Sequence, residues 1–122
     1  MQAVILVGLG GAIGSMARFL ISRVMTQAIP HAFPWGTFFV NITGCFLIGL
    51  VFSLYTKGVV ASDNLRFFLM AGICGGFTTF SAFTLEGMAL IRENKHGLFF
   101  LYMAASVLGG LAATWLGIRI RG

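Results

Sequence analysis

Charge is scarce in this chain: three acidic residues and eight lysines and arginines stand among 122 positions, so that only 9% of the residues are charged. Soluble domains carry about 25%, and a surface this poor in charge excludes an ordinary soluble fold. Proline is nearly absent too. The two that occur both lie in "TQAIPHAFP", leaving the long apolar stretches on either side free of helix breakers. The two cysteines, Cys45 and Cys74, are isolated in apolar sequence with no metal-like cluster around them, which points to small packing residues. His31 and His96 stand in connecting segments without a second ligand nearby, and neither is assigned a metal. A phosphate-binding GxxxxGK[ST] run is missing, as is a nucleophile with a neighbouring base, so an enzyme is not expected.

What fills the chain instead is apolar residues: 58% of it, with 13 phenylalanines and a mean hydropathy of +0.97. A spanning helix takes about 20 apolar residues. Four stretches reach that length, at 3–22, 33–56, 67–91 and 97–118, and they consume nearly the whole sequence. The expected architecture is an all-α membrane protein of one four-helix domain, multi-pass and embedded in lipid. The opening residues lack the basic leader of a cleavable signal, and none is expected. Lysine and arginine at the ends of such helices anchor them at the headgroups, so the net charge of +5 gives no reason to expect a nucleic-acid partner.

The distribution of the basic residues says more than their number. Lys57, Arg66, Arg119 and Arg121 fall on one side of the membrane; Arg23, Arg92 and Lys95 fall on the other, with Arg18 deeper in the first span. Orientation follows the asymmetry of Lys and Arg, and here there is almost none. The expectation is a chain that inserts both ways round. Four closely packed helices leave no lumen, so a transport path needs walls from a second copy. Small residues at four-residue spacing (Gly10 and Gly14; Gly72 and Gly76; Ser106, Gly110 and Thr114) each put close contact on one helix face.

The third stretch contains "GGFTTFSAF", residues 75–83. Paired glycines weaken a helix, and hydroxyls can take over backbone hydrogen bonds, so an unwound turn is expected here. The alternative is a glycine notch for packing, its hydroxyls bonded back to the preceding turn. Freed carbonyls in hydrocarbon cost several kcal/mol each and suit a small hard cation. Beyond the break, Phe80 and Phe83 share a face, and aromatic ring edges are positive enough to favour an anion. Asn41, with Thr37 one turn before it, brings amide donors into the second span, while Tyr102, Ser106 and Thr114 share a face of the fourth. Together they can line a narrow polar track. Glu86, one turn past Phe83, is the one acid near membrane depth; a pore vestibule and an ordinary helix-end or paired position both remain open for it.

"GGFTTFSAF", with "GGAIGSMARF" in the first span and "WGTFFVNITGCFLIG" in the second, resembles the CrcB family, the Fluc-type fluoride channels, over essentially the whole chain. The resemblance implies a passive fluoride-selective channel of the bacterial inner membrane that exports fluoride and so lowers its toxicity. It implies an antiparallel, dual-topology homodimer with two fluoride pathways and a structural sodium ion at its centre, held by the main-chain carbonyls of Gly75 and Thr78. By the same resemblance Phe80 and Phe83 contact fluoride, Asn41 positions it, Ser106 and Tyr102 continue the path, and Arg18 stands near its mouth. Two positions depart from that pattern: Ala82 where a hydroxyl residue is usual, and Gly110 where a further serine occurs.

Two other readings compete. A small proton-coupled multidrug exporter also has four spans and dual topology, but depends on a carboxylate in its first span, and this first span has none. An accessory subunit of a larger complex is the third reading.

Overall fold

The computed structural model describes residues 1–29 and 32–120; His31 and Arg121, both weighed above, lie outside the described residues. Every regular element among the described residues is helical. Helix α1 (Gln2–Ala28) runs 27 residues, about 40 Å at 1.5 Å per residue and ample for a hydrocarbon layer of about 30 Å. Helix α2 (Trp35–Thr56) starts after Pro34, whose missing N–H costs nothing at a helix start. It ends on Gly58 at φ +80°, where the amides of Gly58 and Val59 close on Tyr55 O and Leu54 O, the double bond of a Schellman stop.

The third span, Asp63–Arg92, is made of pieces. Helix α3 (Asp63–Arg66) is capped by the Ser62 hydroxyl, which accepts from Leu65 N, and leads into a π-helical segment, Phe67–Cys74. Helix α4 (Gly75–Phe77) adds less than a turn; Thr78 and Thr79 are extended, and α5 (Phe80–Arg92) resumes. A second Schellman stop follows, with Asn94 at φ 60° and the amides of Asn94 and Lys95 on Ile91 O and Leu90 O. Helix α6 (His96–Ile120) completes a set of four helical stretches long and apolar enough to cross a membrane. The first and third of these extend several residues beyond the apolar cores counted from sequence, and the last by one residue at its start and two at its end.

Two tight helix pairs organise the chain: α1 against the first half of the third span, and α2 against α6. Glycine makes both contacts possible. A methyl group at Gly10 would stand 2.6 Å from Phe68 O, one at Gly14 would collide with Ile73 O, and one at Gly76 would stand 2.5 Å from Gly11 O. In the other pair, methyl groups at Gly49 and Gly117 would run into Thr114 O and Phe46 O. Close backbone approach of this kind drives association in lipid, where apolar burial alone gives no net gain. Phe33, Phe83, Leu90 and Tyr102 form a buried hydrophobic cluster, three of its four members aromatic. At the helix ends Arg23, Arg66 and Arg119 lie over the rings of Phe19, Tyr55 and Phe67, and Trp115, as expected of headgroup anchors.

The expected interruption is present, but the glycines are not what unwinds. Gly75 and Gly76 remain helical, and Gly76 packs on α1; the chain opens at Thr78 and Thr79. Both readings of "GGFTT" are thus partly realised, because Thr78 Oγ1 also bonds back to Cys74 O at 3.0 Å.

Candidate functional site

The break is built from threonine and asparagine. Thr78 N closes the last turn on Cys74 O. Thr79 N, the amide that would close a continuous helix on Gly75 O, donates instead to Asn41 Oδ1 at 2.8 Å, and Asn41 Nδ2 donates back to Thr79 O at 3.1 Å. Thr79 Oγ1 then accepts from Ala82 N at 3.2 Å and serves as the N-cap of α5. One residue therefore ends the interruption and starts the next helix. Arg18 Nε donates to Gly76 O at 3.3 Å, supplying another carbonyl near the break with a partner. Gly44 leaves room for the Thr78 side chain, whose methyl would strike any Cβ there.

Against this break lies a cavity of about 340 Å3, walled by α2, the third span and α6; its lining includes Asn41, Thr78, Phe80, Phe83 and Ser106. The two rings sit 5.8 Å apart at 43°. They differ sharply in setting: Phe80 is 76% exposed, whereas Phe83 is 9% exposed and packs on Tyr102 at 5.0 Å. Among the described residues no acid or base lines the cavity. The polar side chains of its lining are the hydroxyls of Thr78, Thr79 and Ser106, the thiols of Cys45 and Cys74, and the Asn41 amide, which keeps one N–H beyond the one given to Thr79.

The other sequence candidates lie apart from that cavity. Tyr102 is fully buried beneath Phe83, its hydroxyl without a hydrogen-bond partner among the described residues. Thr37 faces a second cavity of about 280 Å3, shared with Ser22, Thr26 and Glu86, and its hydroxyl donates to Glu86 Oε1 at 2.6 Å. Glu86 has no basic partner among the described residues, and its Oε2 is buried without a hydrogen bond. Thr114 lines a groove along α6 and donates to Cys45 O at 3.0 Å. Arg18 serves the backbone at Gly76 and lines none of these three spaces.

Sequence reasoning missed the double role of Thr79. The signal was available in principle, since an N-cap threonine sits directly before a helical run. It also left Cys45 and Cys74 as packing residues, although both belong to the walls of the cavity.

The family model for "CrcB-like protein, Camphor Resistance (CrcB)" matches residues 5–118. The chain belongs to the CrcB family. Curated relatives agree along nearly their full lengths. A protein of Flavobacterium psychrophilum is 44% identical over 120 residues, covering 98% of this chain and 97% of the relative. One from Chlorobium luteolum is 45% identical over 116 residues, covering 95% and 89%, and one from Methylobacillus flagellatus is 46% identical over 121 residues, covering 98% and 94%. All three are named fluoride-specific ion channel FluC. As a CrcB protein with four helices able to span a bilayer, the chain is a multi-pass membrane protein.

Proposed function

We propose that this CrcB protein is a passive, fluoride-selective channel of the bacterial inner membrane, which lets fluoride leave the cytoplasm down its electrochemical gradient. The observation that carries the reading is the cavity where Asn41, Phe80, Phe83 and Ser106 meet with no charged side chain among the described lining. Fluoride is small and strongly hydrated. It leaves water only where donors and positive ring edges replace its shell, and a fixed positive charge would hold it too firmly to let it go. Relatives named as fluoride channels over almost their whole lengths support the same substrate. The exporter reading has no carboxylate in α1 to carry protons, since Gln2–Ala28 contains neither Asp nor Glu.

The functional unit in this proposal is an antiparallel homodimer. Its support is the balanced distribution of Lys and Arg, together with Phe80, which lines the cavity yet is 76% exposed in a single chain and so has room for a wall from a second copy. At the centre of the dimer we assign a sodium ion to the main-chain carbonyls of Gly75 and Thr78. The residues fit a hard cation: Thr79 N has turned from Gly75 O to Asn41, and Thr78 is extended, so its carbonyl lies outside the helical ladder. The ion would supply positive charge to carbonyl dipoles for which the described residues give no amide partner across the break. Replacing sodium by a large organic cation in the purification buffer is expected to loosen the dimer; an unaltered dimer would remove the ion from the account. Expression in bacteria lacking their own fluoride export tests the function, with restored growth in fluoride medium expected. Well-expressed protein that gives no protection would overturn the reading.

A further inference from the structure

Two of the three acidic residues are paired at the ends of the third span, Asp63 with Arg66 at 4.0 Å and Glu93 with Lys95 at 3.3 Å. The third, Glu86, has no basic partner among the described residues. Its Oε1 takes the Thr37 hydroxyl at 2.6 Å, whereas Oε2 is buried without a hydrogen bond. An ionised group left this way within a membrane span is costly unless something neutralises it. Glu86 lines a cavity of about 280 Å3, enclosed by the last turns of α1, the first turn of α2 and the middle of α5. Ser22, Thr26 and Thr37 bring hydroxyl oxygens that can accept, and the rings of Phe33 and Trp35, 4.5 Å apart at 48°, complete the wall. No side chain of the described lining carries a positive charge. The volume falls short of the about 300–1,000 Å3 of pockets for drug-sized ligands, so the space suits an occupant of a few heavy atoms.

We propose that this cavity binds a primary ammonium group on a short alkyl chain, its N–H groups donated to the Glu86 carboxylate and the hydroxyls around it, and its alkyl end set against Phe33 and Trp35. A carboxylate and hydroxyls alone would serve a sodium ion as well. The rings decide for an organic cation, because aromatic walls attract an ammonium and an alkyl group gains by leaving water. A multivalent metal has no comparable ligand set, since no three His, Cys, Asp or Glu side chains among the described residues come together. Arg23 stands on the adjoining groove, which shares Ser22 and Thr26 with the cavity. It is exposed, with its guanidinium over the Phe19 ring at 5.9 Å, so solvent and salt screen its repulsion. Two sources offer the same chemistry: a dissolved amine, and the ethanolamine headgroup of a phospholipid. The proposal does not rest on the fluoride-channel reading, and its test measures binding rather than flux.

The full chain carrying Trp115→Phe has Trp35 as its one tryptophan, and Trp35 emission reports on the cavity wall. In a maltoside detergent, which brings no ammonium of its own, methylammonium chloride is titrated at ionic strength held constant with sodium chloride. A saturable change is expected, half-complete at millimolar concentration. Methanol, the neutral molecule of similar size, is expected to give none. Glu86→Gln is expected to weaken the binding by about tenfold or more, and Thr26→Val by several-fold. No saturable response to methylammonium, an equal response to methanol, or undiminished binding by Glu86→Gln would each overturn the site. Should Glu86→Gln fail to fold, the comparison of methylammonium with methanol and the Thr26→Val titration decide, and undiminished binding by Thr26→Val would then overturn it. In lipid nanodiscs, weaker apparent methylammonium binding with phosphatidylethanolamine than with phosphatidylcholine assigns the site to the headgroup; equal binding in the two assigns it to a dissolved amine.

Discussion

Asn41 and Thr79, 38 residues apart, grip each other through both faces: Oδ1 accepts from Thr79 N at 2.8 Å and Nδ2 donates to Thr79 O at 3.1 Å. This pair turns an unwound stretch of a membrane helix into a fixed structure. Without it, an amide and a carbonyl would stand unpaired in a medium that offers little water, at a cost of several kcal/mol for each group.

Asn41→Ala removes both partners of Thr79 at once. The expected loss is about 1–3 kcal/mol of stability, the penalty of stranding a buried backbone group, read as earlier unfolding in a detergent thermal ramp, with fluoride flux abolished. Asn41→Asp keeps the acceptor for Thr79 N but replaces the donor with an acceptor facing Thr79 O. It is expected to retain less stability than wild type and no flux. Wild-type melting of Asn41→Ala would mean that the break does not depend on this pair.

The glycines of α1 divide by what they face. Gly10→Ala puts a methyl group 2.6 Å from Phe68 O, against backbone that cannot turn aside, whereas nothing lies within 4 Å of the same group at Gly8. The first change is expected to cost about 1–3 kcal/mol by overpacking. The second is expected to be neutral or slightly favourable, since alanine is the better helix former. Equal melting temperatures for the two variants would contradict the packing described for α1 and the third span.

Phe80 and Phe83 are expected to fail in different ways. Phe83 is buried against Tyr102, so Phe83→Ala is expected to lose stability by about 3–5 kcal/mol, as large-to-small core changes do, along with flux. Phe80 is 76% exposed in the single chain, and Phe80→Ile is expected to melt close to wild type while conducting far less fluoride. A Phe80→Ile channel with normal flux would remove that ring from the path.

Much of this was legible in sequence, for identifiable reasons. Four uncharged stretches of spanning length cannot be hidden, and the coincidence of glycine, threonine and phenylalanine at 75–83 marks the interruption. The detail was not legible where several backbone solutions suit the same residues. An apolar run such as Phe67–Cys74 bears no mark that separates π-helical from α-helical bonding. Gly75 and Gly76 suggested unwinding, but their value lies in what approaches them, and sequence does not show that Gly11 comes close enough to Gly76 to require the missing side chain. The engagement of Thr114 with Cys45 and of Thr37 with Glu86 depends on helix pairing, which residue spacing within one helix does not encode.

Orientation is open to direct measurement. With Lys and Arg nearly balanced across the membrane, a cysteine added beyond either terminus, in a Cys45→Ser, Cys74→Ala background, is expected to react from both sides of the membrane in comparable amounts. Labelling from one side only would contradict dual insertion and, with it, the antiparallel dimer.

The central claim is that this chain conducts fluoride and rejects chloride. Purified protein in liposomes loaded with fluoride or with chloride, in sodium buffer and read with ion-selective electrodes, tests it most directly. The account predicts fast release of fluoride with chloride retained. Release of both ions alike, or of neither from an intact, reconstituted protein, would contradict it.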